Sequence, residues 1–360
     1  MERENTQLQF KLTELDKQYQ LLKTRLTMAQ HKSREITMAN ILTSIIEFIH
    51  DWVGSYGWAI ILFTLLIKLL LFPLDYKSRK SMKQMERLQP QLLELQNKYA
   101  NDKEKLAQKT TELYQRSGMN PMAGCLPTLF SMVILFTMFS AMRNVSNMQM
   151  AQQTLHYLAD GTFAQESFLW IKNLWMPDSP FAAAVPTAKQ LSMIPAESWA
   201  HAYAALTADQ LLSLPTQISF DFSSDACAAT IESICAYLNT QSSYITAIQT
   251  IPQFTNINLL ITKLSMYAHA NGWFILPLLS CVTQILMTRI TQGKAMQTQN
   301  TQTQAMQTNR IMLWIMPLFS LYICLDYSAS FALYWVASNC FAILQTLLLN
   351  HLLSREHSAQ

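Results

Sequence analysis

Residues 58–72 read Trp58-Ala-Ile-Ile-Leu-Phe-Thr64-Leu-Leu-Ile-Lys68-Leu-Leu-Leu-Phe72, an apolar run with a lysine near its middle. With its flanks the run can cross the hydrocarbon core, which needs about 17–25 helical residues. A lysine at the bilayer centre costs roughly 2.5–3.5 kcal/mol, so it usually faces protein or a water-filled cavity. Thr64 lies one turn before Lys68 on the same helical face. We therefore predict a first span over residues 55–75 with Lys68 as a functional site, the alternative being a lysine that snorkels to an interface.

The composition and the distribution of charge predict a membrane protein with much material outside the bilayer. Hydrophobic residues make up 50% of the 360 residues and charged residues only 14%, and the net charge of +3 gives no reason to expect nucleic acid as a partner. From Lys77 to Arg116, ten Lys and Arg residues stand against five acids, whereas three lysines face eight acids between Asn144 and Gly272. The positive-inside rule places the first of these segments in the cytoplasm.

Two amphipathic stretches precede the first span. Between Leu8 and Leu26, leucines and one tyrosine recur at alternating steps of four and three, which predicts a coiled-coil-like helix over residues 1–35. A solvated helix packed loosely on its own protein is an equal alternative. Residues 36–54 carry an apolar face interrupted by charges, the pattern of a helix in the membrane interface. No signal peptide is predicted, and five spans would put the N-terminus outside, so we expect an upstream span before this chain.

The polar region over residues 76–118 predicts a cytoplasmic helical hairpin. It divides near Asn101-Asp102, where Asp102 suits the N-cap of a second helix that ends near Gly118. Two helices joined by a tight turn run antiparallel and return the chain to the membrane. The uncharged stretch 122–143 is the predicted second span.

Residues 144–272 form a predicted extracytoplasmic insert, which prolines cut into short helical pieces. Thr207 and Gln210 match a capping box at the start of one piece. Cys227 and Cys235 could form a disulfide only if the helix breaks between them, because two helical turns hold α-carbons about 12 Å apart. The alternative is two buried small hydrophobes. We predict no metal site and no cofactor, because the histidines are scattered and the other cysteines lie singly in apolar spans.

The last third of the chain predicts three more spans. They cover residues 273–290, 311–325 and 328–350, with a Gln- and Thr-rich cytoplasmic loop over 291–310 and a short cytoplasmic tail over 351–360. The fourth and fifth spans are separated by only Asp326-Tyr327, so they form a tight transmembrane hairpin.

Short motifs along the chain resemble those of one family, the YidC membrane insertases with their mitochondrial and chloroplast relatives. The resemblance covers about 55–143, 168–176 and 273–350. Its motifs are Phe72-Pro73-Leu74, Met85-Glu-Arg-Leu88-Gln89-Pro90, Gln96-Asn-Lys98-Tyr99, Glu112-Leu-Tyr114, Asn120-Pro121, Gly124-Cys125-Leu-Pro127, Phe168-Leu-Trp170-Ile171-Lys-Asn-Leu174 and Leu333-Tyr334-Trp335-Val-Ala-Ser338-Asn339.

The resemblance implies an all-α membrane protein of the bacterial inner membrane, with a five-transmembrane-helix insertase core, the cytoplasmic hairpin and a hydrophilic groove. The groove would be lined by Lys68, Thr64, Ser131, Gln284, Tyr334, Ser338, Asn339 and Gln345. The matching hairpin residues are Met85, Leu88, Gln89, Pro90, Lys98, Tyr99 and Tyr114. Segment 168–176 resembles the amphipathic segment that follows the second span in the family.

The resemblance also implies partners. These are nascent membrane proteins, the Sec translocon and components of the signal-recognition-particle pathway. The charge of the hairpin itself predicts a solvated face near anionic lipids as the alternative to contact with the targeting machinery. The tail after His351 has a single arginine, which leaves ribosome contact through it in doubt. Lys68 stands where the family usually has arginine, and Ser131 and Val133 stand where it often has Gln and Pro. A desolvated lysine can lose its proton whereas a guanidinium essentially cannot, so this groove needs water or an acidic substrate.

An alternative function is a multi-span transporter or channel that binds an anionic solute at Lys68. Transporters commonly carry internal repeats and interrupted helices, and the sequence shows neither. An enzyme is not predicted, because the spans contain no set of nucleophile and base or of metal ligands.

Overall fold

A computed structural model of the chain describes residues 39–118, 126–223, 225–255, 257–259, 262–292 and 304–358. The coiled-coil-like helix predicted over 1–35 and most of the loop predicted over 291–310 lie outside these residues. The fold is helical, as predicted, and it adds one short antiparallel hairpin of strands within the insert.

Twelve helices are present in the described residues. They are α1 (39–53), α2 (Tyr56–Lys98), α3 (Lys103–Arg116), α4 (Leu126–Asp160), α5 (Ala188–Leu191), α6 (Ala196–Ala204), α7 (Ala208–Ser213), α8 (Cys227–Leu238), α9 (Ser242–Ala247), α10 (Ile275–Gln292), α11 (Gln304–Asp326) and α12 (Ala329–Ser358). A 3-10 turn covers Pro252–Phe254, and strands β1 (Ile257–Leu259) and β2 (Thr262–Leu264) pair with Asn258 opposite Lys263.

Helix α2 joins two regions that the sequence analysis treated separately. The first span and the first arm of the hairpin form one helix of 43 residues, with Pro73 and Pro90 inside it. Each proline removes one backbone donor and crowds the carbonyl four residues before it, yet the helix continues past both prolines. The helix ends at Lys98, and Asp102 then accepts a hydrogen bond from the backbone nitrogen of Lys105 at 3.0 Å. The predicted N-cap of α3 is therefore confirmed.

Apolar packing between helices far apart in sequence forms the first of two cores. Phe63 of α2, Met142 of α4 and Phe331 of α12 are buried there, together with Ile46 of α1. Within the described residues, two helices are long and apolar enough to cross a membrane, over Tyr56–Ser81 and Ala329–Leu352. The apolar parts of α10 and α11, Ile275–Ile290 and Trp314–Leu325, are shorter.

A second core builds the insert around the C-terminal half of α4. Leu155 of α4 is fully buried and packs with Trp199 of α6, Ile234 of α8 and Tyr244 of α9. The last residues of the insert pair with its middle, because the backbone nitrogen of Asn271 donates to the carbonyl of Ala182 at 2.9 Å.

The cysteine pair of the insert corrects one prediction. Helix α8 runs unbroken from Cys227 to Leu238, and Cys227 and Cys235 are both free thiols. The break that a disulfide required is absent, so the bridge does not form. Cys227 is buried in the second core and Cys235 packs at its edge, which agrees with the alternative of small hydrophobes.

Candidate substrate groove

The face of α2 that carries Lys68 is polar within an otherwise apolar span. Thr64 is buried, and its hydroxyl donates to the carbonyl of Ile60 at 2.7 Å. Lys68 is half-buried one turn later. Among the residues with described side chains, none forms a hydrogen bond or an ion pair with Lys68. Its ammonium group is therefore a partly enclosed charge that the described side chains do not neutralise by direct contact.

Three predicted groove residues lie on one face of α12. Tyr334, Ser338 and Gln345 fall within about 40° of helical arc, at 100° per residue. Tyr334 is buried in the first core, and Ser338 is half-buried one turn further along. Gln345 donates from Nε2 to Oδ2 of Asp75 at 2.8 Å, so the C-terminal end of this face contacts α2.

Two other predicted groove residues join α10 to α12 instead. Asn339 donates from Nδ2 to Oγ1 of Thr283 at 3.1 Å. Gln284 accepts at Oε1 from Nε1 of Trp335 at 3.3 Å. These two bonds are ordinary interhelical hydrogen bonds of the kind that hold transmembrane helices together. Ser131 lies on α4, and its side chain is outside the described part of the structure.

Sequence analysis missed three polar residues that the structure brings to the α2–α12 contact. They are Asp75 and Arg79 of α2 and Thr346 of α12. Arg79 donates from Nη2 to Oγ1 of Thr346 at 2.6 Å. Steps of seven and four separate Lys68, Asp75 and Arg79, which put all three on one helical face. That spacing was a usable signal, but Asp75 closes the predicted first span over 55–75 and Arg79 belongs to the hairpin predicted over 76–118, so the two were not considered together.

The predicted hairpin residues occupy the end of α2 and the facing side of α3. Leu88, Tyr99 and Tyr114 are half-buried, whereas Pro90 and Lys98 are exposed. The side chains of Met85 and Gln89 lie outside the described ones. Lys109 and Glu112 form an exposed ion pair at 2.8 Å on α3.

A buried carboxylate fixes the N-terminal end of α10. Asp178 is fully buried and accepts from the backbone nitrogens of Trp273 at 2.8 Å and Leu276 at 2.7 Å. The indole nitrogen of Trp170 donates to the same carboxylate at 3.2 Å. An acceptor at the first turn of a helix satisfies backbone donors that have no partner within the helix. Asp178 thus determines where α10 begins.

Segment 168–176 is a compact turn against the first core. Phe168 and Ile171 exchange both backbone hydrogen bonds at 3.0 Å. Leu169 between them has a positive φ of 55° and is 70% exposed. Further along, Leu174 and Met176 accept at their carbonyls from the first backbone nitrogens of α12. The segment therefore links α12 to the outer surface of the helices.

Long apolar helices, a charged helical arm and a polar face bearing a half-buried lysine define a helical membrane protein. The sequence profile of the family described as 60Kd inner membrane protein matches residues 48–224 and 237–356. This chain belongs to that family, and the resemblance stated from its motifs is confirmed.

Curated relatives carry the name membrane protein insertase YidC. The chain is similar to that of Caldanaerobacter subterraneus, with 36% identity over 162 residues, 44% of this chain and 71% of the relative. It is 42% identical to that of Chloroherpeton thalassium over 139 residues, 39% of this chain and 21% of the relative. The match to Syntrophus aciditrophicus is 47% over 97 residues, 27% of this chain and 18% of the relative. The chain therefore spans about a fifth of the length of several relatives that it matches.

Proposed function

We propose that this protein is a membrane protein insertase of the bacterial inner membrane, which transfers nascent membrane proteins into lipid. The observation that carries the proposal is the family match over residues 48–224 and 237–356, which includes the face of α2 bearing Lys68. Relatives that match part of this chain are named insertases, and we infer the function of this chain from that similarity.

In this proposal, α2, α4, α10, α11 and α12 are the five spans, and a polar groove opens between them toward cytoplasm and lipid. Lys68 is its central positive charge. The polar side chains on the facing surfaces of α2 and α12 support this arrangement, because hydrocarbon would disfavour them elsewhere. The remaining residues proposed to line the groove are Thr64, Ser131, Tyr334, Ser338 and Gln345. The other two predicted groove residues, Gln284 and Asn339, hydrogen-bond between α10 and α12.

A client chain would use the groove in two parts. Its acidic or polar outer segment pauses beside Lys68, attracted by a charge that acts more strongly in low dielectric than in water. Its apolar segment meanwhile moves out between the spans into lipid. The transfer of apolar surface out of water drives the process, and the groove lowers the barrier for the hydrophilic part. No covalent step is needed.

The hairpin of α2 and α3 is the proposed contact with the targeting machinery, including the signal-recognition-particle pathway and the Sec translocon. Ten Lys and Arg residues between Lys77 and Arg116 support this role and also favour anionic lipid head groups. The exposed apolar side chains of α1 support a location in the membrane interface, with Phe48 76% and Trp52 84% exposed.

The test is complementation in bacteria depleted of their own insertase, with a single-span, phage-coat-type client. The native chain and Lys68→Arg should restore growth and client insertion, because both keep a positive charge in the groove. Lys68→Glu should lose both at equal expression, because the reversed charge repels an acidic outer segment.

Lys189→Glu is the matched control, since it makes the same charge reversal at an exposed position of the insert. It should behave as the native chain does. A well-expressed native chain that inserts no client would remove the main support for the insertase proposal. Activity of Lys68→Glu equal to the native chain would instead refute the role of Lys68 and leave the proposed function in place.

A further inference from the structure

The charged face of α2 contains an acid as well as two bases. Thr64, Lys68, Asp75 and Arg79 fall within about 60° of helical arc. Asp75 follows Lys68 by seven residues, which is two turns, or a rise of about 10 Å. A client that enters from the hairpin end of α2 therefore passes Arg79 and Asp75 before it reaches Lys68.

The carboxylate of Asp75 is held in place from a different helix. Gln345 of α12 donates to its Oδ2 at 2.8 Å. One turn further along α2, Arg79 donates to Thr346, the next residue of α12, at 2.6 Å. Asp75 and Arg79 are both half-buried. Two side-chain bonds from adjacent residues of α12 thus fix the register of this face and keep the Asp75 carboxylate beside the polar face of α12.

Asp75 also affects the electrostatic potential at two basic side chains on the same face. Its carboxylate interacts electrostatically with Lys68 and with Arg79. Among the residues with described side chains, Asp75 is the carboxylate that acts on Lys68. The Asp75 carboxylate therefore offsets part of the positive potential that would otherwise surround Lys68.

We propose that Asp75 is the resident counter-charge of Lys68 and determines how acidic the outer segment of a client must be to enter the groove. The inference rests on the proposed insertase function. An acidic client segment is attracted to Lys68 and competes there with the Asp75 carboxylate. A neutral segment has no such attraction, so the charge of Asp75 does not affect its entry. The net charge of the face, two bases and one acid, then sets the selectivity.

The experiment measures insertion rates for three versions of one client, with zero, two or four acidic residues in its outer segment. Asp75→Asn removes the negative charge with little change in shape. It should raise the ratio of the four-acid rate to the zero-acid rate by roughly threefold or more, as expected for one charge about 10 Å away in a partly shielded site. Asp75→Ser is the second neutral variant, and it should give the same direction of change.

Two controls distinguish the effect of charge from a general disturbance of the structure. Asp75→Glu retains the negative charge and should leave the ratio near the native value. Glu232→Gln makes the same neutralising change at an exposed site of the insert, on α8, and should leave the ratio unchanged.

Thermal unfolding of the purified variants identifies any that misfold. The ratio of rates in the neutral variant that folds then tests the counter-charge role of Asp75. Native insertion with an unchanged ratio in the neutral variant overturns the counter-charge role and leaves the insertase function intact. Absence of insertion by the native chain overturns both.

Discussion

The Oδ2 atom of Asp178 lies 2.7 Å from the backbone nitrogen of Leu276, so a residue that follows α4 caps a helix 98 positions further along the chain. The insert occupies most of the sequence between them. The start of α10 is therefore set by a side chain of the insert itself, from the segment between α4 and α5.

Replacement of Asp178 should strongly destabilise the protein. Asp178→Ala leaves two backbone donors and one indole donor without their acceptor at a fully buried site. We expect a loss of about 3 kcal/mol or more in the free energy of unfolding. Unfolding of the detergent-solubilised protein, followed by tryptophan fluorescence, measures it. Glu232→Gln, an exposed change on α8, should have almost no effect, and equal effects of the two changes would contradict the prediction.

Gly272 allows the Asp178 carboxylate to approach the backbone. A β-carbon at position 272 would overlap Oδ1 of Asp178 and lie 2.9 Å from its Cγ. Gly272→Ala should therefore destabilise the native protein, and it should cost about 1 kcal/mol less in the Asp178→Ala background, where the clashing oxygen is gone. A double-mutant cycle on unfolding free energies tests the coupling. Strict additivity of the two changes would show that they act separately.

The capping box at the start of α7 should control the local stability of the insert. Thr207 accepts at its hydroxyl from the backbone nitrogen of Gln210 at 3.3 Å, and Gln210 accepts from the backbone nitrogen of Thr207 at 3.1 Å. Thr207→Ala should cost about 1 kcal/mol, and Thr207→Ser should be nearly neutral because serine keeps the hydroxyl. Hydrogen exchange of the α7 amides is the measurement. Equal hydrogen-exchange protection of the α7 amides in Thr207→Ala and Thr207→Ser would argue against the cap.

Glu47 of α1 should make stability depend on pH. Burial raises the pKa of Glu47, the Asp51 carboxylate adds to that rise, and His201 and His50 oppose it. A raised pKa in the folded state means that the native protein binds the proton more tightly than the unfolded chain. The stabilisation that protonated Glu47 gives the folded state is therefore present below the ordinary pKa of 4.5 and is lost as pH rises through the pKa of the folded state.

Glu47→Gln removes that titration and should raise the melting temperature at pH 7 relative to the native chain. The difference should shrink as pH falls toward 4. Melting curves between pH 4 and pH 8 measure it, with Glu94→Gln as the exposed control. A constant difference at every pH would exclude Glu47 as the titrating group.

The two cysteines of α8 should remain thiols in an oxidising compartment. Burial raises the pKa of both Cys227 and Cys235, which reduces the reactive thiolate fraction. Both should be alkylated after denaturation without reductant, and mass spectrometry of the peptide that contains them should show two adducts. A peptide lighter by two protons and without adducts would demonstrate the bridge that the continuous helix excludes.

Features that depend on nearby residues could be predicted from the sequence. Two helix caps, at Asp102 and at Thr207 with Gln210, are interactions between residues three positions apart. Their spacing in the sequence is therefore enough to predict them. Lys68 stood out because a charge inside an apolar run is costly wherever the helix packs. Motif order along the chain was enough to identify the family.

Relationships between distant residues could not be predicted in this way. Asp75 and Gln345 are 270 positions apart, and their hydrogen bond exists because α2 and α12 pack with those faces together. Gln284 and Asn339 are equally polar in the sequence, yet packing directs them to the α10–α12 contact instead. Periodicity gives the face of a helix on which a residue lies, but not which helix faces it.

By itself, therefore, the sequence determined the helical membrane class, the family, the local caps and the unusual lysine, because each depends on composition or on neighbours within about a turn. Only the tertiary structure decided that the first span and the hairpin arm are one helix, that Cys227 and Cys235 share an unbroken helix, and that Asp75 lies beside Gln345. These outcomes depend on the free energy of packing whole helices together, which no single stretch of sequence contains.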